Sequence, residues 1–161
     1  MKKLFIVLLA LLTLSTMASA QRVRVKVDVG KETSEYKYSI GDIVQIGGEL
    51  GIVFSLTSDR QHGKAISLAM TQCDWRSAHQ WCSQLGWGWK LPTKNELQVI
   101  YKHKDTINSQ LDANGYYQFS GSYWSGEEYS NGSAWRVGMD HGSAYDFDKF
   151  FSTSVRAVSA F

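Results

Sequence analysis

Leu91-Pro92-Thr93-Lys94-Asn95-Glu96-Leu97 constrains the fold of this chain more than any other stretch. Pro92, the only proline among 161 residues, pushes Leu91 into extended geometry, so no helix can begin earlier. Thr93 and Glu96 then have the S/T-x-x-E spacing of a capping box, in which each side chain satisfies the other's backbone N–H. Leu97, Ile100 and Tyr101 supply the apolar stripe of the helix that follows. Directly before the turn stands a loop with Trp87 and Trp89. Punctuation this explicit gives neighbouring loops a fixed base.

The rest of the chain divides around that helix. Upstream, Asp74 is placed to cap a helix whose apolar positions are Trp75, Ala78, Trp81, Cys82 and Leu85, and Gly86 stops it. Downstream, Asp105 or Thr106 starts a last short turn through Ile107 and Leu111, ended by Asn114-Gly115. Before these helices the chain reads as short strands: RVRVKVDV, YKYSI, IVQI, GIVFSLT and KAISLAM. After them come YYQFS, SYW, SAWRVGM, SAYDFDKF and SVRAVSAF, separated by Gly, Ser, Asn and Asp. Strands, then helices, then strands predict an α+β fold of short antiparallel strands with two main helices and long loops, not alternating βαβ units.

Residues 1–20 read as a secretory signal peptide rather than structure. Lys2 and Lys3 precede the apolar run Leu4 to Leu12, and Ala18-Ser19-Ala20 makes a small-residue cleavage site before Gln21. The run is shorter than the roughly 20 residues that span a bilayer. Residues 21–39 then form an N-terminal strand segment and residues 40–161 one domain. Without Lys2 and Lys3 the basic count falls to 15, equal to the acidic count. A neutral chain without a basic cluster argues against nucleic acid, and no membrane insertion is expected after cleavage. The expected location is periplasmic or secreted, at the cell surface. Cys73 and Cys82 are the only cysteines. The helical rise from Trp75 to Cys82 covers ~10 Å, whereas a disulfide needs Cα atoms within ~7 Å. That points to two buried thiols, with a bridge as the alternative that an exported context permits.

Four elements taken together carry a family resemblance. W-x-x-A-x-x-x-C (Trp75 to Cys82) is followed by W-x-L-P-T-x-x-E-L (Trp89 to Leu97), YWS (Tyr123 to Ser125) and VRAVSAF (Val155 to Phe161). The chain resembles, over roughly residues 40 to 161, a bacterial C-type-lectin-like module. That group includes the Legionella collagen-like protein C-terminal domain and the Fibrobacter succinogenes major paralogous domain. The resemblance implies a C-type-lectin-like fold with aromatic-rich loops, exported and binding glycans or protein partners rather than catalysing. Two departures narrow it. The Glu-Pro-Asn, Gln-Pro-Asp and Trp-Asn-Asp motifs of calcium-dependent animal lectins are absent, and no cysteine beyond Cys82 remains for the copper chemistry of the more distantly similar formylglycine-generating enzyme.

No catalytic constellation emerges. His62, His79, His103 and His141 show no metal-ligand spacing, and His79 and His103 fall on polar helix faces. The serines of GSYWSGEE lack a recognisable His and Asp partner. Glu127 and Glu128 are adjacent and on a strand would face opposite sides. Together with Asn131, Asp140, Asp146 and Asp148 they could supply oxygens for calcium, which takes ~6–8 of them, but no EF-hand order appears, and no cofactor is expected. Trp75, Trp81, Trp89, Trp124 and Trp135 read as core, with Trp89 under the second helix. Trp87, between two glycines, reads as exposed. Residues 125–150 read as the binding loop, because aromatic rings beside amides and carboxylates suit sugars and protein interfaces alike. The candidate ligand-binding residues are Trp87, Tyr117, Glu127, Glu128, Tyr129, Asn131, Asp140, His141 and Tyr145. The expected function is an exported, non-catalytic binding module for a glycan or surface protein. The alternatives are a polysaccharide-acting enzyme using Glu127, Glu128 or Asp140, and an envelope or appendage component pairing through RVRVKVDV.

Overall fold

The computed structural model of the chain describes residues 38–86 and 88–161; the leader, RVRVKVDV and Trp87 lie outside that range. Four strands come first: β1 (Ile43–Ile46), β2 (Glu49–Leu56), β3 (Gly63–Ser67) and β4 (Thr71–Cys73). Three helices follow: α1 (Trp75–Gln84), α2 (Lys94–Lys102) and α3 (Lys104–Ala113). The chain ends in β5 (Ser122–Glu128), β6 (Ser133–Gly138), β7 (Ala144–Asp148), β8 (Thr153–Val155) and β9 (Val158–Ala160). This is an α+β fold with two sheets, ordered β1-β2-β3-β9 and β4-β8-β5-β6-β7. Among the described residues no helix is long and apolar enough to cross a membrane.

Strand alternation sorts the side chains between the layers. Ile52, Phe54 and Ile66 of the first sheet enter the main core with Leu97 and Ile100 of α2, Ile107 and Leu111 of α3, and Tyr123 and Val137 of the second sheet. Trp124, Ala134 and Val155, on the opposite face of the second sheet, pack against Ala78 and Cys82 of α1. Val44, Val53 and Ala65 form a smaller cluster on the outer face of the first sheet with Tyr38, Ile40 and Phe161.

One arginine ties the sheets together. The chain leaves the second sheet at Val155 and enters the first at Val158, and Arg156 between them is fully buried. Its guanidinium donates to the Ser67 carbonyl at 2.8 Å and to the carbonyls of Leu68 and Tyr117. Ser67 completes the joint: its hydroxyl accepts from the Ala157 N–H at 3.0 Å, and its own N–H donates to the Ala157 carbonyl at 2.8 Å.

The Leu91-Pro92-Thr93 turn is locked from two directions. The capping box forms as the spacing predicts, with Glu96 N–H donating to Thr93 Oγ1 at 3.1 Å and Thr93 N–H to Glu96 Oε2 at 2.8 Å. Lys64 adds an ion pair to Glu96 at 2.7 Å. From the other side, an irregularity in β5 between Trp124 and Glu128 brings the Gly126 N–H to the Pro92 carbonyl at 2.8 Å. A Cβ at Gly126 would stand only 3.2 Å from Leu91 Cβ, so the close approach favours glycine.

Several sequence expectations are corrected. YYQFS is not a strand; Tyr116 to Ser120 run without regular structure, because this segment bends over the edge of the second sheet. Tyr38 to Ile40 pack without strand pairing. SVRAVSAF is two strands, broken where Arg156 and Ala157 cross between sheets. β4 had no period long enough to reveal it. Trp89 is buried against the first sheet instead of under α2: its indole N–H donates to the Ile46 carbonyl at 3.2 Å, and its ring lies over Gly51. Residues 125–150 form most of a three-stranded meander rather than a loop. Cys73 and Cys82 are free thiols, and burial pushes the Cys82 thiol up to about 12.

Three measurements check this account. Arg156→Met leaves buried carbonyls without a donor, at ~1–3 kcal/mol each, so urea unfolding should register a loss of roughly 3 kcal/mol or more. Thr93→Ala removes half of a capping box and should cost about 1 kcal/mol. In the native protein at pH 8, iodoacetamide should label Cys73 ahead of Cys82, with Cys82 reacting only on addition of denaturant.

Candidate functional site

The start of α1 and the tip of the β5–β6 hairpin enclose a cleft of about 490 Å³, lined by residues 74–76, His79, Glu128, residues 131–132, Lys149 and Phe150. Its floor is set by local chemistry. Asp74 caps α1, accepting from Ser77 N–H at 3.0 Å and Ser77 Oγ at 2.6 Å, and these bonds hold its carboxyl below the usual range. Trp75, the first helical residue, donates its indole N–H to the Ser125 carbonyl at 2.8 Å. That bond orients the ring along the cleft.

Lys149 fixes the walls. Its ammonium donates to the carbonyls of Ser130 at 2.9 Å and Asn131 at 3.1 Å, and pairs with Glu128 Oε2 at 3.1 Å. These three partners use all the protons an ammonium carries. The same group lies 4.8 Å from the Trp75 ring centroid, and the Lys149 carbonyl accepts from Trp75 N–H at 3.0 Å. Lys149 thus joins helix, hairpin and the turn after β7, and has no donor left for a ligand.

Other groups remain open. The Glu128 side chain is 56% exposed, Asn131 and Arg76 are exposed, and Phe150 is 88% exposed at the rim. His79 stands edge-on to Trp75, centroids 4.5 Å apart. Desolvation there lowers its pKa, with the Glu128 charge opposing the shift. The arrangement offers aromatic surface, one carboxylate, one amide and one guanidinium. Such a surface is chemically complementary to a polar molecule that has an apolar face.

Of the residues the sequence singled out, the structure brings Glu128 and Asn131 into this cleft. Glu127 serves α2, its Oε2 accepting from Lys94 N–H at 2.5 Å. Tyr129 lies edge-on against Trp135, whose other neighbour is the Lys94 ammonium, 4.0 Å from the ring centroid. Asp140, His141 and Tyr145 belong to the opposite end of the second sheet, where Tyr145 hydrogen-bonds Ser122 and the carbonyls of Met139 and Gly142 anchor Lys104 and Gln98. Tyr117 stands apart, beside β4 and β8. Trp87 lies outside the described residues. Among those residues, no three His, Cys, Asp or Glu side chains gather where they could hold a metal ion.

Sequence reasoning missed Trp75, His79, Lys149 and Phe150. Trp75 fits the helical stripe, and His79, four residues on, was assigned to the polar face because only the tertiary fold lays Gly126 against it. Phe150 had a readable signal. It breaks the alternation Tyr145, Phe147 of β7 and follows a charged pair, Asp148-Lys149.

Residues 55–159 match the family described as the Lcl C-terminal domain. No curated protein matches the chain. β1 and the first part of β2 precede the matched stretch yet pair within the same sheet as β3 and β9.

A lowered histidine pKa means that the folded protein resists protonation that the unfolded chain accepts near pH 6.5. His79 should therefore titrate by NMR with a midpoint below 6.5, and its contribution should reduce stability as pH falls through that range. Trp75→Ala should move the midpoint up, and Glu128→Gln should move it further down.

Proposed function

We propose, starting from a chain that belongs to the Lcl C-terminal domain family, that it acts as an exported, non-catalytic module that binds a glycan in the cleft between α1 and the β5–β6 hairpin. The observation that carries this reading is the Lys149 brace, which holds a carboxylate, an amide and aromatic rings around one opening. Rings stack on the apolar face of a sugar while the amide, carboxylate and guanidinium take its hydroxyls. A volume of about 490 Å³ lies in the ordinary range for small-ligand sites, about 300–1,000 Å³. Binding without turnover is supported by the employment of the neighbouring acidic residues: Asp74 caps α1 and Glu127 caps α2, which leaves Glu128 without a second open carboxylate in the cleft. Export to the periplasm or cell surface rests on the Lys2-Lys3, apolar-run and Ala18-Ser19-Ala20 pattern.

A glycan array probed with the protein should return a defined set of ligands. Phe150→Ala and Asn131→Ala should each weaken binding about tenfold, the equivalent of ~1.4 kcal/mol, without changing the unfolding midpoint. Lys149→Met should abolish binding by releasing the hairpin. Progressive release of reducing ends from a bound glycan, stopped by Glu128→Gln, would replace this reading with the enzymatic one.

A further inference from the structure

A second cleft opens on the other face of the second sheet, beside the buried arginine. It has a volume of about 330 Å³ and is lined by Met70, Gln72, Tyr117, Gln118, Ser120, Tyr123 and Ser154. We propose that this cleft is a separate binding site for an uncharged saccharide, with Tyr117 as its stacking ring.

The site is built from strand register. Gln72 of β4 lies opposite Ser154 of β8, which in turn lies beside Tyr123 of β5. Residues in register on neighbouring strands share one face, so amide, hydroxyl and phenol form a row across three strands. Gln72 Nε2 reaches Ser154 Oγ at 3.4 Å. Farther along the same face, at Val137 and Met139, the surface is covered by the main core. Toward β4 that cover ends and the row lies under the segment 117–120.

Two features select the ligand's chemistry. No charged side chain lines the cleft, and an ion entering it would lose water without gaining a partner. The amides of Gln72 and Gln118 and the hydroxyls of Ser120 and Ser154 each donate and accept, which matches a sugar's hydroxyl groups. The ring of Tyr117 is 80% exposed although its backbone is anchored, its carbonyl accepting from Arg156. An exposed ring on a pinned backbone offers stacking area with little ordering cost. Tyr123, almost fully buried, lies beside the Arg156 guanidinium and favours its charged form.

This site shares no residue with the α1–hairpin cleft, and its test is independent of that reading. The full, isotopically labelled chain is titrated with methyl glucoside, methyl galactoside and methyl N-acetylglucosaminide, alongside glucuronate and glucosamine as charged controls. At least one neutral glycoside should shift the amide signals of Gln72, residues 117–120 and Ser154 in a saturable way. Tyr117→Ala should weaken that response at least fivefold and Tyr117→Phe should preserve it, while Phe150→Ala leaves it unchanged. Gln72→Ala should also weaken it. The Tyr117 substitutions keep the backbone carbonyl on Arg156, so an unchanged unfolding midpoint confirms that folding is intact. No saturable shift with any neutral glycoside overturns the proposal. So does a response that survives Tyr117→Ala, or tighter binding of a charged control.

Discussion

Everything in this fold hangs on a charge buried without a carboxylate. Arg156 sits where the chain passes from one sheet to the other, and its guanidinium is held by the carbonyls of Ser67, Leu68 and Tyr117. A buried cation with no hydrogen bonds would cost several kcal/mol. Here, three backbone carbonyls from two segments, 67–68 and Tyr117, replace water, although burial still lowers its pKa. The planar fork of the guanidinium suits this task, because it presents donors in fixed directions to two chain segments that only the fold brings together. The Ser67–Ala157 hydrogen bonds extend the joint into the backbone. The sheets cannot slide past one another while these contacts hold.

Against that joint, the Pro92 turn is the second fixed point. Thr93 and Glu96 satisfy each other, Glu127 takes the Lys94 N–H, and Gly126 donates to the Pro92 carbonyl. Helix α2 is therefore welded to β5 at its first turn. The same irregularity in β5 turns the strand so that Ser125 meets Trp75 and Glu128 meets Lys149. A helix start and the larger cleft thus share one piece of backbone. Residues that look functional in sequence, Glu127 above all, turn out to hold the frame, while the neighbouring Glu128 faces the opening.

The two clefts follow from the two faces of one sheet. Trp124 and Val155 on one face support α1, whose first turn borders the larger opening. Tyr123 on the other face joins the main core and then runs out into the smaller opening. Their chemistry differs accordingly. The larger carries Arg76, Glu128 and Lys149, and the smaller carries only neutral polar groups and rings. Arg156 stabilises the segment that overhangs the smaller cleft, so the residue that joins the sheets also sets the geometry of that site.

The sequence by itself determined the local elements whose signals are local. The capping box, the Asp74 cap, the stop at Gly86, the strands of IVQI and GIVFSLT and the α+β class were all legible, because each depends on residues a few positions apart. Four short motifs also pointed to the family. Only the tertiary structure decided which side chains meet. Trp75 reads as core on a helical stripe, yet it is only partly buried there and also lines an opening with the hairpin residues Glu128 and Asn131. Glu127 and Glu128 are indistinguishable in sequence, and strand alternation alone separates a helix cap from an open carboxylate. Arg156 reads as an ordinary charge between Val155 and Ala157 until both sheets close around it. Contacts between residues eighty or more positions apart, such as Arg156 with Ser67, depend on the closed fold, and no pattern along the chain encodes them.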